Sequence, residues 1–168
     1  MIIYKPLQCL EKKYAIKENE PVFRGSCGKI YSDKGDLIKI PYDFSRGNLL
    51  NSPGAQKRLY EEAKIHDFAV TLGIKLPKIY GLYAVEEANT KSQYPGLAMK
   101  GLGNLTMDKL DGSLKEKAEK QRKDEIAKAK DLGFIINDSR EANAIWYPEE
   151  EQTYLLDCGL WGYKIEVL

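Results

Sequence analysis

The sequence predicts a mixed α+β fold, as one compact domain or two small lobes sharing a core, and three patterns predict it. Between Val22 and Pro41, short apolar stretches are punctuated by Gly25-Ser26-Cys27-Gly28 and by Asp33-Lys34-Gly35-Asp36, which reads as strand, glycine turn, strand, hairpin turn, strand. From Gln56 to Leu72, the residues Leu59, Ala63, Ile65, His66, Ala69, Val70 and Leu72 recur at helical spacing, and Gly73 supplies the stop. In the second half, a long charged helix from Ser113 to about Leu132 is followed by Phe134-Ile135-Ile136 and then by a hairpin. A chain of 168 residues suits either arrangement.

The remaining elements follow in order. Residues 1–21 mix apolar and basic side chains and suit either a short helix or a strand. Residues 43–54 are polar and glycine-rich, a loop. Two strands, Lys78–Val85 and Tyr94–Lys100, flank a polar loop. Gly101-Leu102-Gly103-Asn104 reads as a hinge or turn, and Leu105–Leu110 as a short helix. Ser113 and Glu116 are spaced as a capping box. Lys115, Lys117, Lys120, Arg122, Lys123, Lys128 and Lys130 alternate with acids at three- and four-residue intervals, the pattern of a solvated, salt-laced helix. Asn143–Tyr147 and Tyr154–Leu156 bracket Pro148–Thr153 as a hairpin, and the tail 160–168 is apolar enough to pack but carries no motif.

Composition narrows the function. With 26 basic and 25 acidic residues the net charge is +1, which argues against a general nucleic-acid binder. No apolar run is long enough to cross a bilayer, and Met1-Ile2-Ile3-Tyr4-Lys5-Pro6 is not a signal peptide, so no membrane association is expected. Cys9, Cys27 and Cys158 lack metal-ligand spacing, which suits free thiols in a reducing cytoplasm. The single histidine, His66, lies on the apolar face of the first helix and reads as a core residue. A monomer is expected.

The chemistry concentrates in Asn137-Asp138-Ser139-Arg140-Glu141-Ala142-Asn143 and in Asp157-Cys158-Gly159 beyond the hairpin. An acid, a cation two positions on and an amide five positions on share one loop, and a second carboxylate closes the next strand. These are the parts needed to hold a divalent cation against a nucleotide phosphate and to receive a hydroxyl proton. Lys39, flanked by Ile38 and Ile40 on a strand, points away from both, and Glu62 or its neighbour Glu61 stands on the following helix.

A glycine turn between strands, a strand lysine, a helix glutamate, the Asp/Arg/Asn loop and Asp-x-Gly after a hairpin stand in the order of the protein-kinase-like fold. The chain resembles that family from about Val22 to Gly159. The resemblance implies a bilobal fold, with residues 1–103 as a small antiparallel sheet plus one helix and 104–168 as a truncated second lobe, and it implies ATP and Mg2+, with Mn2+ as an alternative, as cofactors. It implies that Gly25, Ser26, Gly28 and Ile30 cover the nucleotide, although Phe23 replaces the first glycine of the family's loop. Lys39 would pair with the phosphates, positioned by Glu62. Met99, Lys100 and Leu102 would form the strand end and hinge beside the adenine. Asp138 would accept the substrate proton, Arg140 would offset γ-phosphate charge, and Asn143 and Asp157 would hold the metal.

Departures from the family pattern sharpen the expectation. Ile136-Asn137 stands where the family has His-Arg, so control by an activation-loop phosphate is not expected. Cys158 replaces the phenylalanine of Asp-Phe-Gly. The sequence runs nine residues past Gly159, without the family's further substrate-binding helices. The expected enzyme is therefore a minimal kinase acting on a protein serine or threonine. It is similar to secreted bacterial effectors of the HopBF type, delivered into a host cytosol and associated with a heat-shock chaperone. A small-molecule kinase on the same scaffold and a non-catalytic ATP- or partner-binding module are the alternatives.

Overall fold

The turns and apolar stretches of the first half fold into one six-stranded sheet in a computed structural model that describes residues 5–17, 20–24, 27–42, 48–137, 139–157, 159 and 161–163. The strands are β1 (Lys12–Ile16), β2 (Phe23–Arg24), β3 (Gly28–Asp33), β4 (Asp36–Pro41), β5 (Ile79–Glu87) and β6 (Gln93–Met99), in the order β1-β5-β6-β4-β3-β2. Pairs are antiparallel except β1 with β5, which is parallel: the expected small antiparallel sheet is present, with one parallel strand added at its edge. That added strand comes from the segment with the weakest sequence signal. Only Tyr14 and Ile16 of β1 are buried, too few to announce a strand by alternation.

Acids flanking the Lys34-Gly35 turn draw β1 across to β3 and β4. Ala15 donates its N–H to Asp33 at 2.9 Å, and the Tyr14 hydroxyl donates to Asp36 at 2.7 Å. Inside this curl Tyr14, Ile16, Tyr31, Ile38, Ile40, Val85 and Ala98 form one core. On the other face Ile30, Leu37, Leu97 and Met99 pack against Leu59 and Ala63 of helix α1 (Pro53–Thr71). Burial on both faces is why β4 reads as a nearly continuous apolar run with one lysine in it.

Helix α1 begins at Pro53, inside the stretch expected to be a loop. The Ser52 hydroxyl accepts the Ala55 N–H at 3.2 Å, and proline occupies a position whose N–H would have no helical partner. Its buried stripe runs through Leu59, Glu62, Ala63, His66 and Ala69.

The second half contributes α2 (Gly112–Asp131), β7 (Phe134–Ile136), β8 (Ala144–Tyr147), β9 (Gln152–Leu155) and β10 (Trp161–Tyr163). Asp111, not Ser113, takes the N-cap of α2, without a side-chain cap bond; Ser113 lies inside the first turn. The expected helix at 105–110 is a single 3-10 turn, Met107–Lys109. β8 and β9 form the expected hairpin. The tail without a motif supplies β10, which pairs antiparallel with β7 and adds Trp161 to a core containing Phe134, Trp146, Ala118, Ala129 and Met107.

Ile74 and Leu76, from the loop after α1, enter that same core. The Lys75 carbonyl accepts the Leu155 N–H at 2.9 Å, the Lys75 N–H donates to Glu125 at 3.1 Å, and Lys128 donates to the Gly73 carbonyl at 2.6 Å. The end of α1 is thus bonded to α2 and β9, which sets where Glu62 stands relative to the second half of the chain.

Candidate active site

Strand alternation turns Lys39 to the face of β4 opposite Ile38 and Ile40, onto α1. There its Nζ lies 2.6 Å from Glu62 Oε1 and 2.7 Å from Asp157 Oδ1, with all three side chains almost wholly buried. Burial pulls the Lys39 pKa down, but the two carboxylates more than offset it, and the pKa is raised. The lysine therefore stays charged. Glu61 points elsewhere, 3.6 Å from Lys64 on the exposed side of α1, so the open choice between the two glutamates resolves to Glu62 as the residue beside Lys39.

Asp157 also accepts the Gly159 N–H on Oδ1 at 2.8 Å. Gly159 is tightly enclosed. An added Cβ would stand 3.0 Å from Asp157 Oδ1, 3.0 Å from Cys27 Cβ and 3.1 Å from Glu62 Oε2.

The loop between β7 and β8 meets this cluster from the other side. Asp138 lies outside the described residues, as do Gly25, Ser26 and Cys158. Ser139 and Arg140 are exposed, and the chain then turns through 141–143 in a 3-10 turn that bonds the Asn143 N–H to the Arg140 carbonyl at 3.0 Å. The hairpin register does the rest: Ala144 faces Leu155, and the Leu156 N–H donates to the Asn143 carbonyl at 2.9 Å, setting Asn143 beside Asp157.

Asn143 is 4% exposed, and neither its Oδ1 nor its Nδ2 has a hydrogen-bond partner; Asp157 Oδ2 is also buried and unpartnered. Buried polar atoms left in this state are rare, because each carries an uncompensated desolvation cost of about 1–3 kcal/mol. A cavity of about 10 Å³, the size of a single water, is lined by Ser139, Arg140, Asn143, Asp157, Ile136 and Trp161. An amide oxygen and a carboxylate oxygen are hard donors of the kind magnesium prefers. Among the described residues no group of three His, Cys, Asp or Glu side chains could hold a metal, so an ion here would draw its other ligands from water or a bound phosphate.

Ile30, Met99 and Leu102 share one apolar cluster with Leu156, Ile145 and Phe23. A cleft of about 580 Å³ is walled by Val22, Phe23 and Arg24 on one side and by Thr106, Asp108, Lys109 and Glu141 on the other. Lys100 sends its side chain away to the hairpin turn, 3.1 Å from Glu150 and over the Tyr147 ring, so only its backbone can serve a ligand at the hinge. Gly28 is packed against β4, where an added Cβ would stand 2.4 Å from the Ile40 carbonyl oxygen. That close approach alone accounts for the glycine.

His66 is fully buried and its Nε2 donates to the Pro77 carbonyl at 2.7 Å. Burial lowers its pKa to about 4 against the opposing pull of that carbonyl, so it is neutral at pH 7. It is a core histidine. The pattern reading missed Arg122, which is 8% exposed in a helix expected to be solvated along its length.

No family model matches the chain, and no curated protein matches it. Solved structures do. A medium-resolution structure of the bifunctional kinase-methyltransferase WbdD aligns with a TM-score of 0.52 at 18% identity, over 84% of this chain and 31% of that one. The fold is kinase-like. The chain spans about a third of the length of that protein, and at this identity the likeness concerns the fold alone. In the kinase-like fold the sheet with α1 forms one lobe and α2 with the β8–β9 hairpin a reduced second one.

Proposed function

We propose that the chain is a phosphotransferase that moves the γ-phosphoryl group of ATP to a hydroxyl. One observation carries the reading: a buried lysine held by two carboxylates, with Asp157 Oδ2 and the Asn143 amide left unpartnered beside it. A desolvated cation fixed by Glu62 and Asp157 suits the α- and β-phosphates. Asn143 Oδ1 and Asp157 Oδ2 would hold Mg2+, or Mn2+ in its place, and the ion would neutralise charge on the phosphates. Arg140, exposed beside Asn143, suits the outermost phosphate. The apolar cluster of Ile30, Met99 and Leu102 suits an adenine ring.

In this reading Asp138 takes the proton of the acceptor hydroxyl as the oxygen–γ-phosphorus bond forms. The bond from the γ-phosphorus to the bridging oxygen breaks, leaving ADP. Catalysis then rests on placement and charge, with no covalent intermediate on the protein. We take the acceptor to be a protein serine or threonine. The narrower likeness to HopBF-type effectors, acting in a host cytosol on a chaperone, goes with that choice and rests on the sequence resemblance.

Incubation with γ-labelled ATP, with and without host lysate, tests the reading. Label on protein is expected. Label in the small-molecule fraction overturns the choice of acceptor, and nucleotide binding without transfer overturns the enzyme. Asp157→Ala is expected to abolish transfer with the fold retained; full activity in that variant refutes the assignment.

A further inference from the structure

We propose that Arg122 is a positioning residue, gripping the loop 137–143 from helix α2; its bearing on catalysis rests on the phosphoryl-transfer reading above. Most basic residues of α2 are partly or fully exposed, and Arg122 is not. Its Nε and Nη2 each donate to the carboxylate of Glu119, both at 2.7 Å, a fork that fixes the plane of the guanidinium. With the plane fixed, the direction of Nη1 is fixed, and Nη1 donates to the Ser139 carbonyl.

Ser139 sits between Asp138 and Arg140, so this bond holds the peptide joining Ser139 to Arg140. Both ends of the loop are already tied: β7 pairs with β10, and Asn143 is bonded to Leu156 and Arg140. The middle is solvent-exposed at Asn137, Ser139 and Arg140, and ordering exposed backbone costs entropy. Arg122 reaches that middle from a rigid helix. Lysine cannot replace it, because one ammonium has no plane to lock and cannot present three fixed donor directions.

The test uses the full chain carrying Arg122→Lys, with Glu119→Gln as a second variant that keeps the arginine and weakens its fork. Amide hydrogen exchange is read at Asn143 and Ala144, whose N–H groups close the 3-10 turn onto Arg140 and Glu141. In Arg122→Lys both are expected to exchange about tenfold faster, the loss of one charge-assisted hydrogen bond, while Leu155 and Ile38 keep their rates. Turnover of γ-labelled MgATP is expected to fall about tenfold in kcat with KM within about twofold, because Lys39, Glu62 and Asp157, which meet the α- and β-phosphates in that reading, lie outside the loop. Glu119→Gln should show the same pattern, smaller. Unchanged exchange at Asn143 and Ala144 overturns the proposal. Uniform acceleration along the chain also overturns it, since that marks a purely structural role. The expected exchange pattern in a chain whose wild type shows no turnover supports the grip and overturns the phosphoryl-transfer reading instead.

Discussion

Replacing His66 by Gln should remove a specific part of the protein's sensitivity to acid. The imidazole is buried, and only a protonated Nε2 can donate to the Pro77 carbonyl, which fixes the neutral tautomer and leaves Nδ1 without a partner. Charging Nδ1 there would place a cation in a core without an acceptor, near Lys39. The unfolded chain takes up this proton near 6.5 and the folded chain only near 4. Between those values the unfolded state holds more protons, so stability is full above pH 6.5, falls as pH drops and levels off below 4. Moving the imidazole from 6.5 to about 4 makes the loss about 3 kcal/mol at pH 4, at about 1.4 kcal/mol per tenfold. Urea unfolding of wild type and His66→Gln at pH 7 and pH 4 measures it. The carboxylates titrate alike in both proteins and cancel in the double difference. Wild type should lose about 3 kcal/mol more than the variant between the two pH values. Equal losses would refute the buried, neutral histidine.

Three further outcomes follow from the same packing. Lys39→Met leaves Glu62 and Asp157 facing each other in the core and should cost about 3–5 kcal/mol, whereas Glu62→Gln should cost less because Lys39 keeps Asp157 at 2.7 Å; denaturant midpoints in the reverse order would contradict the cluster. Gly159→Ala forces a methyl against Asp157, Cys27 and Glu62 and should cost about 1–3 kcal/mol, read as a lowered thermal midpoint. Lys100→Ala removes a half-exposed ion pair with Glu150 and a cation–π contact with the Tyr147 ring, so its unfolding free energy should change by less than about 2 kcal/mol, and a larger change would mean the end of β6 depends on those contacts.

Several features were legible in the chain because they are local. The helix over 56–72 and the hairpin after Asn143 follow from spacing and turn residues, and the structure has both. Misreadings were local too. Pro53 and Gly54 look like loop residues until Ser52 is seen capping them, and Ser113 resembles a cap until Asp111 takes the position. β1 and β10 were obscure because their partners, β5 and β7, lie far away in sequence and neither strand has an apolar alternation of its own.

By itself, then, the sequence determined which residue types lie near one another along the chain: a lysine between two isoleucines, a glutamate pair on a helix, and an acid, a cation and an amide in one loop. Only the tertiary structure decided that Glu62 and not Glu61 meets Lys39, that Asn143 lies beside Asp157, and that Arg122 leaves the solvent to hold Ser139. The reason is physical. Helical and strand periodicity assign a side chain to a face, whereas the partner across that face depends on register, on the curl of the sheet and on the loop after α1 being bonded to α2 and β9.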